Sequence, residues 1–315
     1  MRAAYASAIN PEDPLAGLSV GDLPEPEAPE GWAVVEVRAS SLNHHDIWSL
    51  RGVGLPADRL PMVLGCDAAG VDEAGRDVVV FPVLLDPGDP RGYSLLSERL
   101  PGTLAERVAV PRENLIAKPD GVSFADAACL PTAWLTAYHM LTARGRVGEA
   151  DAVLVQGAGG GVATAAVVLA RSFGKRVYAT SRDPAKRERI AELGAVAVEP
   201  GARLPERVDV VIETVGAATM DHSLKCCDRR ARIVVSGATS GHLATVDLRR
   251  MFAMQLEILG SSMGTPDELE ALLAMCADGL RPVVDSEFGF SEVRDAFGRL
   301  YAGDVFGKVV VDHTR

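Results

Sequence analysis

The chain has 315 residues, is 48% hydrophobic and 24% charged, and carries a formal net charge of -11. That balance belongs to a globular protein with a sizeable core, long enough for two domains. An acidic surface of this kind disfavours a nucleic-acid partner, and no apolar run reaches the roughly 18 residues that a membrane span requires.

The opening stretch MRAAYASAINPEDP lacks the apolar core of a secretory leader, so the expectation is a cytoplasmic protein. Cys66, Cys129, Cys226, Cys227 and Cys276 form no CxxC pair, which argues against a disulfide scaffold or a four-cysteine zinc knuckle. Residues 1–122 read as β-rich, with β-branched runs at WAVVEVRASSL (32–42) and AGVDEAGRDVVVFPVLL (69–85) and frequent prolines. DPGDPRGYSLLSERLPG (86–102) reads as a polar loop and GTLAERVAVP (102–111) as a returning strand.

The pattern changes near Ser123. SFADAACLPTAWLTAYHMLTARG (123–145) predicts helices interrupted around Pro131. Strands and helices then alternate, with strands at VDVVIETVG (208–216), ARIVVSGAT (231–239) and LEILGSSMG (256–264), which predicts a parallel α/β sheet. Helices at 267–279 and 291–303 precede a short last strand, KVVVDH (308–313), which is expected to join the N-terminal sheet. The α/β fold is therefore read as a cofactor domain over 123–265 inserted into a β-rich domain of 1–122 and 266–315.

VLVQGAGGGVATAA (153–166) places Gly157, Gly159, Gly160 and Gly161 between a strand and a helix that begins near Val162. Glycines allow a tight turn and close backbone approach to a pyrophosphate, and the helix N-terminus supplies free N–H groups. A carboxylate that would accept from the ribose hydroxyls of NAD is missing at the end of the next strand, VYATSRDPAKR (177–187), where Thr180, Ser181 and Arg182 stand. A hydroxyl, a guanidinium and Lys186 one turn on would hold a 2′-phosphate, so the expected cofactor is NADPH, with NADH less favoured.

In order and spacing, ASSLNHHDIW, LGCDAAGV, GTLAERVAVP, AACLPTAWLTAYHML, GAGGGVATAA, VVIETVG and FGKVVV resemble the medium-chain dehydrogenase/reductase superfamily over nearly the whole chain. The resemblance implies a GroES-like catalytic domain, a Rossmann domain and an active site in the cleft between them. It also makes Thr132, Gly237 and Lys308 candidate cofactor contacts, beside Asn43 and the residues of the glycine loop. Zinc members of the superfamily hold their metal with a cysteine, a histidine and a second cysteine; the matching positions here are Asn43, Cys66 and Thr132. Neighbouring residues on a strand point to opposite faces, which speaks against a rearranged site of His44, His45, Cys66 and Asp67. The loop at 86–101 has none of the cysteines of the structural zinc lobe. The expectation is therefore a metal-free, quinone oxidoreductase-like member.

On this reading Asn43 and His45 are the catalytic candidates. Asn43 would donate its amide to a ligand or to the cofactor ribose, and His45 would hydrogen-bond the substrate oxygen and deliver a proton. Asp46 is read as fixing the loop, His44 as structural or surface-facing and Trp48 as pocket wall or core. The expected reaction is hydride transfer from NADPH to a quinone or an α,β-unsaturated carbonyl. Alternatives are an alcohol or aldehyde dehydrogenase, and an NADPH-binding protein without catalysis. The apolar edge at Leu256, Ile258 and Leu259 predicts a homodimer formed by edge-to-edge pairing of strand 256–264.

Overall fold

The computed structural model describes all 315 residues, which divide into two compact units, 1–132 with 266–315 and 133–265.

In the first unit, the strand Trp32–Leu42 organises the main sheet. It pairs with Asp67–Asp72, with Arg107–Pro111 and with the last strand Lys308–Asp312, all antiparallel. Alternate residues of Trp32–Leu42 are buried up to Ala39, after which both faces are covered. One hydrophobic core gathers Leu42, Ile47, Leu50, Leu64, Leu104, Phe297 and Val311, which ties the helix Val293–Tyr301 to the sheet. The C-terminal residues thus fold with the N-terminal ones, and the pairing Val309↔Leu42 brings Lys308 beside the end of Trp32–Leu42.

The division between units falls at Thr132 rather than near Ser123. The helix Phe124–Ala128 packs on Trp32–Leu42 and Asp67–Asp72, and the Ser41 hydroxyl donates to the Ala128 carbonyl at 2.8 Å. A composition change marks where helices begin. It does not mark which sheet covers them.

The second unit is a six-stranded parallel sheet in the order Val196–Val198, Arg176–Thr180, Ala152–Val155, Val208–Glu213, Cys227–Val235, Glu257–Gly260. In chain order this is 3-2-1-4-5-6, the doubly wound dinucleotide-binding arrangement. Ala152–Val155 is buried along its whole length, as expected of a central parallel strand covered on both faces. The segment predicted as a strand at 231–239 starts earlier and stops earlier, and the last strand keeps only Glu257–Gly260 of 256–264. Helical turns at Leu130–Trp134 and Met140–Arg144 widen to the π form on either side of Leu135–His139. No helix is long and apolar enough to cross a membrane.

Candidate functional site

The glycine loop lies in the second unit, between Ala152–Val155 and the helix Gly161–Ser172. Gly157 has φ +67°, and a Cβ there would stand 2.4 Å from Val215 Cγ2, so the turn needs glycine twice over. Gly160 is the N-cap and provides no side-chain cap, while a Cβ added there would meet nothing within 4 Å. The helix therefore opens on uncapped N–H groups and free space, the setting for an anion. Ala163 is 3% exposed, small enough for the close packing that the glycine of the usual fingerprint serves.

The end of the second strand contains a division of labour that the sequence did not reveal. Thr180 is fully buried, and its hydroxyl donates to Gln156 Oε1 at 2.8 Å and accepts from the Gly157 N–H at 2.9 Å. It fixes the glycine turn and has no lone donor for a ligand. Ser181 is nearly buried, Arg182 is exposed, and Lys186 is half-buried on the helix Pro184–Glu192. Arg187 donates to the carbonyls of Ser181 (2.9 Å) and Arg182 (3.1 Å) and pairs with Glu199 at 3.1 Å, so it braces the backbone that carries both residues. Gly237 follows Cys227–Val235, and a Cβ there would stand 2.8 Å from the Thr214 carbonyl oxygen. Glu213 is also buried, but Val215, Gly216, Thr219 and Ser223 all donate to it, which makes it a structural carboxylate.

The catalytic candidates lie in the first unit. The helix His44–Leu50 follows directly on Trp32–Leu42 with Asn43 as its N-cap. Asp46 is fully buried and accepts from the N–H of Asn43 at 2.8 Å and of Gly65 at 3.0 Å, which agrees with its reading as a loop-fixing residue. Gly65 has φ +93°, and a Cβ there would stand 2.6 Å from Thr103 Oγ1; this turn delivers Cys66 to the same place.

Asn43 donates to Asp67 Oδ2 at 2.8 Å and accepts from Lys308 Nζ at 2.6 Å. Lys308 also donates to the Leu42 carbonyl (2.8 Å) and to Asp67 (3.1 Å), so all three ammonium protons are used inside the protein. Its expected contact with the cofactor does not agree with that commitment. Thr132 Oγ1 and Asp67 Oδ1 are buried without a partner.

Both ring nitrogens of His45 are engaged: Nδ1 lies 3.3 Å from Cys66 Sγ and Nε2 lies 3.2 Å from Glu98 Oε1. Glu98 is 3% exposed and accepts from Arg91 Nη2 at 2.6 Å and from the Leu95 N–H at 3.2 Å. Burial alone would raise the Glu98 carboxyl, but hydrogen bonds from His45 and Arg91 hold it at about 2. Burial disfavours charge on His45, yet Cys66, Glu98 and Asp46 together raise its pKa well above the ordinary value. Burial raises the Cys66 thiol, and His45 offsets part of that rise. Ser97, at φ +67° in the same loop, lies 3.8 Å from Cys66 Sγ. Glu98, Arg91 and Ser97 were not identified from sequence, since nothing in a polar loop distinguishes an acid that folds onto a histidine far away in the chain.

The absence of a metal site was the wrong expectation. One ligand atom each from His45, Asp46 and Cys66 lie within 4.8 Å of one another. Imidazole, carboxylate and thiolate are the donors zinc uses. The strand argument against neighbouring ligands fails because His45 and Asp46 occupy the first turn of a helix, where successive side chains fan out by roughly 100° instead of alternating. Neither the metal-free branch nor the exclusion of zinc survives this geometry. His44 is exposed, as read, whereas Trp48 is 37% exposed and stacked 5.0 Å from the Arg51 guanidinium, not core.

The family described as alcohol dehydrogenase GroES-like domain matches residues 29–120, and that described as zinc-binding dehydrogenase matches residues 161–278. Among curated proteins, an acryloyl-coenzyme A reductase from Metallosphaera sedula is 28% identical, covering 94% of this chain and 96% of its own. Another from Sulfurisphaera tokodaii is 25% identical over 95% and 97%. Among solved structures, an NAD-dependent alcohol dehydrogenase is 34% identical, with a TM-score of 0.89 and 99% of each chain covered.

Proposed function

The chain belongs to the medium-chain dehydrogenase/reductase family of NAD(P)H-dependent oxidoreductases, and on that premise we propose that it reduces α,β-unsaturated carbonyl compounds with NADPH. The observation that carries this reading is the near full-length similarity to two acryloyl-coenzyme A reductases. Bound NADPH would supply the hydride that such a reduction adds at the β-carbon, with negative charge developing on the carbonyl oxygen and a proton completing the α-carbon.

The glycine loop at 157–161 and the first turn with Val162 would take the pyrophosphate, and Ser181, Arg182 and Lys186 the 2′-phosphate. Gly237 keeps the end of its strand clear. The charge that develops on oxygen needs preorganised donors. Asn43 gives one amide proton to Asp67 and retains a second, and the Thr132 hydroxyl is uncommitted. With no ion bound, His45 would contribute positive charge held by Glu98. Cys66, His45 and Asp46 would hold a zinc ion, which when bound supplies Lewis-acid polarisation of a carbonyl.

The test is NADPH oxidation against a panel of enoyl thioesters, simple enones and quinones, with the product identified. A saturated carbonyl supports the reading. Activity confined to alcohols and saturated aldehydes would replace it with the second one, an alcohol dehydrogenase, which the similarity to the NAD-dependent enzyme favours.

A homodimer through the edge strand Glu257–Gly260 is the assembly proposed. That strand ends the sheet, Ile258 and Leu259 are only half-buried, and Leu243, Leu248 and Phe252, which precede it in the chain, are largely exposed.

A further inference from the structure

The glycine turn has a second set of supports beneath it, at the carboxyl ends of the parallel strands. Gln156, the residue before Gly157, and Glu213 are both fully buried there, and the helix Met220–Cys226 lays His222 and Ser223 against Gln156. Two fixed ends of this cluster determine which atom donates in every bond.

At one end, Ser223 donates to Glu213 Oε2 at 2.7 Å, so its oxygen accepts from Gln156 Nε2 at 3.0 Å. At the other, His222 Nε2 lies 2.8 Å from the Ala202 carbonyl, which can only accept. That nitrogen therefore bears the proton, and Nδ1 is left with a lone pair. Nδ1 takes the second N–H of Gln156 at 3.0 Å. The amide is thereby turned with Oε1 towards Thr180, whose hydroxyl donates to it at 2.8 Å and accepts from the Gly157 N–H at 2.9 Å. The Thr180 carbonyl accepts from the Ala158 N–H at 2.7 Å. His222 is thus the outer end of a chain that finishes on the first two amides of the glycine loop.

We propose that His222 is a positioning residue for the dinucleotide: as a neutral imidazole it fixes the Gln156 amide and, through Thr180, the turn at Gly157, so that a proton on Nδ1 opposes cofactor binding. A proton there would set Nδ1–H against the amide N–H of Gln156. Turning the amide over would relieve that clash, but it would present an oxygen to Ser223, whose only hydroxyl proton is committed to Glu213. No orientation of the amide keeps all of these bonds, and a buried network that loses one partner pays for an unsatisfied group.

His222 can exchange protons with solvent. It is half-buried and lines a cavity of about 340 Å³ formed with residues 201–207. The titratable and charged groups around it are Cys226 on its own helix, 3.3 Å from Nε2, and Arg203, Glu206, Arg207 and Lys225 along the cavity. Glu206 is held by Arg176 and Tyr178, and Lys225 by Asp221. His222 is the one that joins the cavity to the glycine turn.

The inference rests on the glycine loop as the dinucleotide site and is independent of the substrate. NADPH is titrated by fluorescence into the parent protein and three variants. Asparagine carries its oxygen two bonds from Cβ, as Nδ1 is, and can accept from Gln156. Glutamine carries its nitrogen three bonds out, as Nε2 is, and replaces only the donor to Ala202. His222→Leu and His222→Gln are expected to bind NADPH about tenfold more weakly, and His222→Asn to restore most of the parent's affinity. From about pH 8 to about pH 5, where imidazoles titrate, the parent should lose affinity more steeply than His222→Asn. The 2′-phosphate titrates in the same range but is common to both proteins, so the difference between them is the readout. Parent-like affinity in His222→Gln and His222→Leu, or parallel pH profiles for the parent and His222→Asn, would overturn the role of His222 alone. A parent that binds no NADPH would overturn it together with the cofactor reading. If His222→Leu does not fold, as read by circular dichroism, His222→Gln against His222→Asn decides.

Discussion

Lys308 and Asn43 are 265 residues apart in sequence and share a 2.6 Å hydrogen bond at the end of the strand Trp32–Leu42. Asp67 closes the group, 3.1 Å from the same ammonium, and both charged side chains are buried. A buried ion pair adds little over an apolar replacement, but removing one partner leaves an uncompensated charge. Lys308→Met is therefore expected to lower unfolding stability by about 3–5 kcal/mol, measured by denaturant titration. The double variant with Asp67→Asn should recover part of the loss. Equal stability of the single variant and the parent would show that the pair is not intact in solution.

The glycine loop offers a comparison within one turn. Gly157→Ala places a Cβ against Val215 at a φ of +67°, whereas a Cβ at Gly160 meets open space. Gly157→Ala should cost about 1–3 kcal/mol in stability and weaken NADPH binding at least tenfold. Gly160→Ala should leave stability within about 0.5 kcal/mol. Fluorescence titration with NADPH and thermal melts on both variants decide the matter.

Cofactor choice depends on an exposed guanidinium beside a nearly buried hydroxyl, Arg182 and Ser181. Loss of one charge-assisted contact to a phosphate is worth about 1.5–3 kcal/mol. Arg182→Ala is thus expected to raise the KM for NADPH by roughly ten- to a hundredfold and to leave that for NADH nearly unchanged. A uniform loss for both cofactors would place the 2′-phosphate elsewhere.

Acid should act through Glu98. Its folded-state pKa is held at about 2, below the ordinary 4.5, so the native state binds fewer protons than the unfolded chain between those values. The stability that Glu98 contributes is complete above about 4.5 and is lost as pH falls towards 2. The stability difference between the parent and Glu98→Gln should therefore shrink steadily between pH 4.5 and pH 3. A difference that holds constant through that window would mean that the His45–Glu98–Arg91 contacts are not formed in solution.

The edge strand gives the assembly prediction. Ile258→Pro removes a backbone donor from Glu257–Gly260, and if two copies pair there, light scattering should report the parent as a dimer and the variant as a monomer. NADPH binding at 157–161 should survive. A parent that runs at the 33.2 kDa of one chain rejects the dimer.

Periodicity and glycine placement were sufficient to read the parallel sheet and the loop at 157–161. Each of these depends on side-chain alternation or on backbone freedom, and those are local properties. Asn43, His45 and Asp46 were visible as a polar group at a strand end for the same reason. The role of each was not. His45 has both nitrogens occupied, by Cys66 from a turn 21 residues away and by Glu98 from a loop 53 residues away, and Lys308 is consumed by Asn43 and Asp67. The error about the metal had two sources: ligands were sought at the positions the resemblance assigns, Asn43, Cys66 and Thr132, and Asn43–Asp46 was read as continuing a strand. Asn43 instead caps a helix, and the first helical turn aims His45 and Asp46 at the residue that the Gly65 turn supplies. Residue types in the sequence determined which donors were available to this site. Which donors meet, and which are spent on each other, was decided by long-range packing, because a side chain's direction is set by the backbone beneath it and its partners by whatever the fold places opposite.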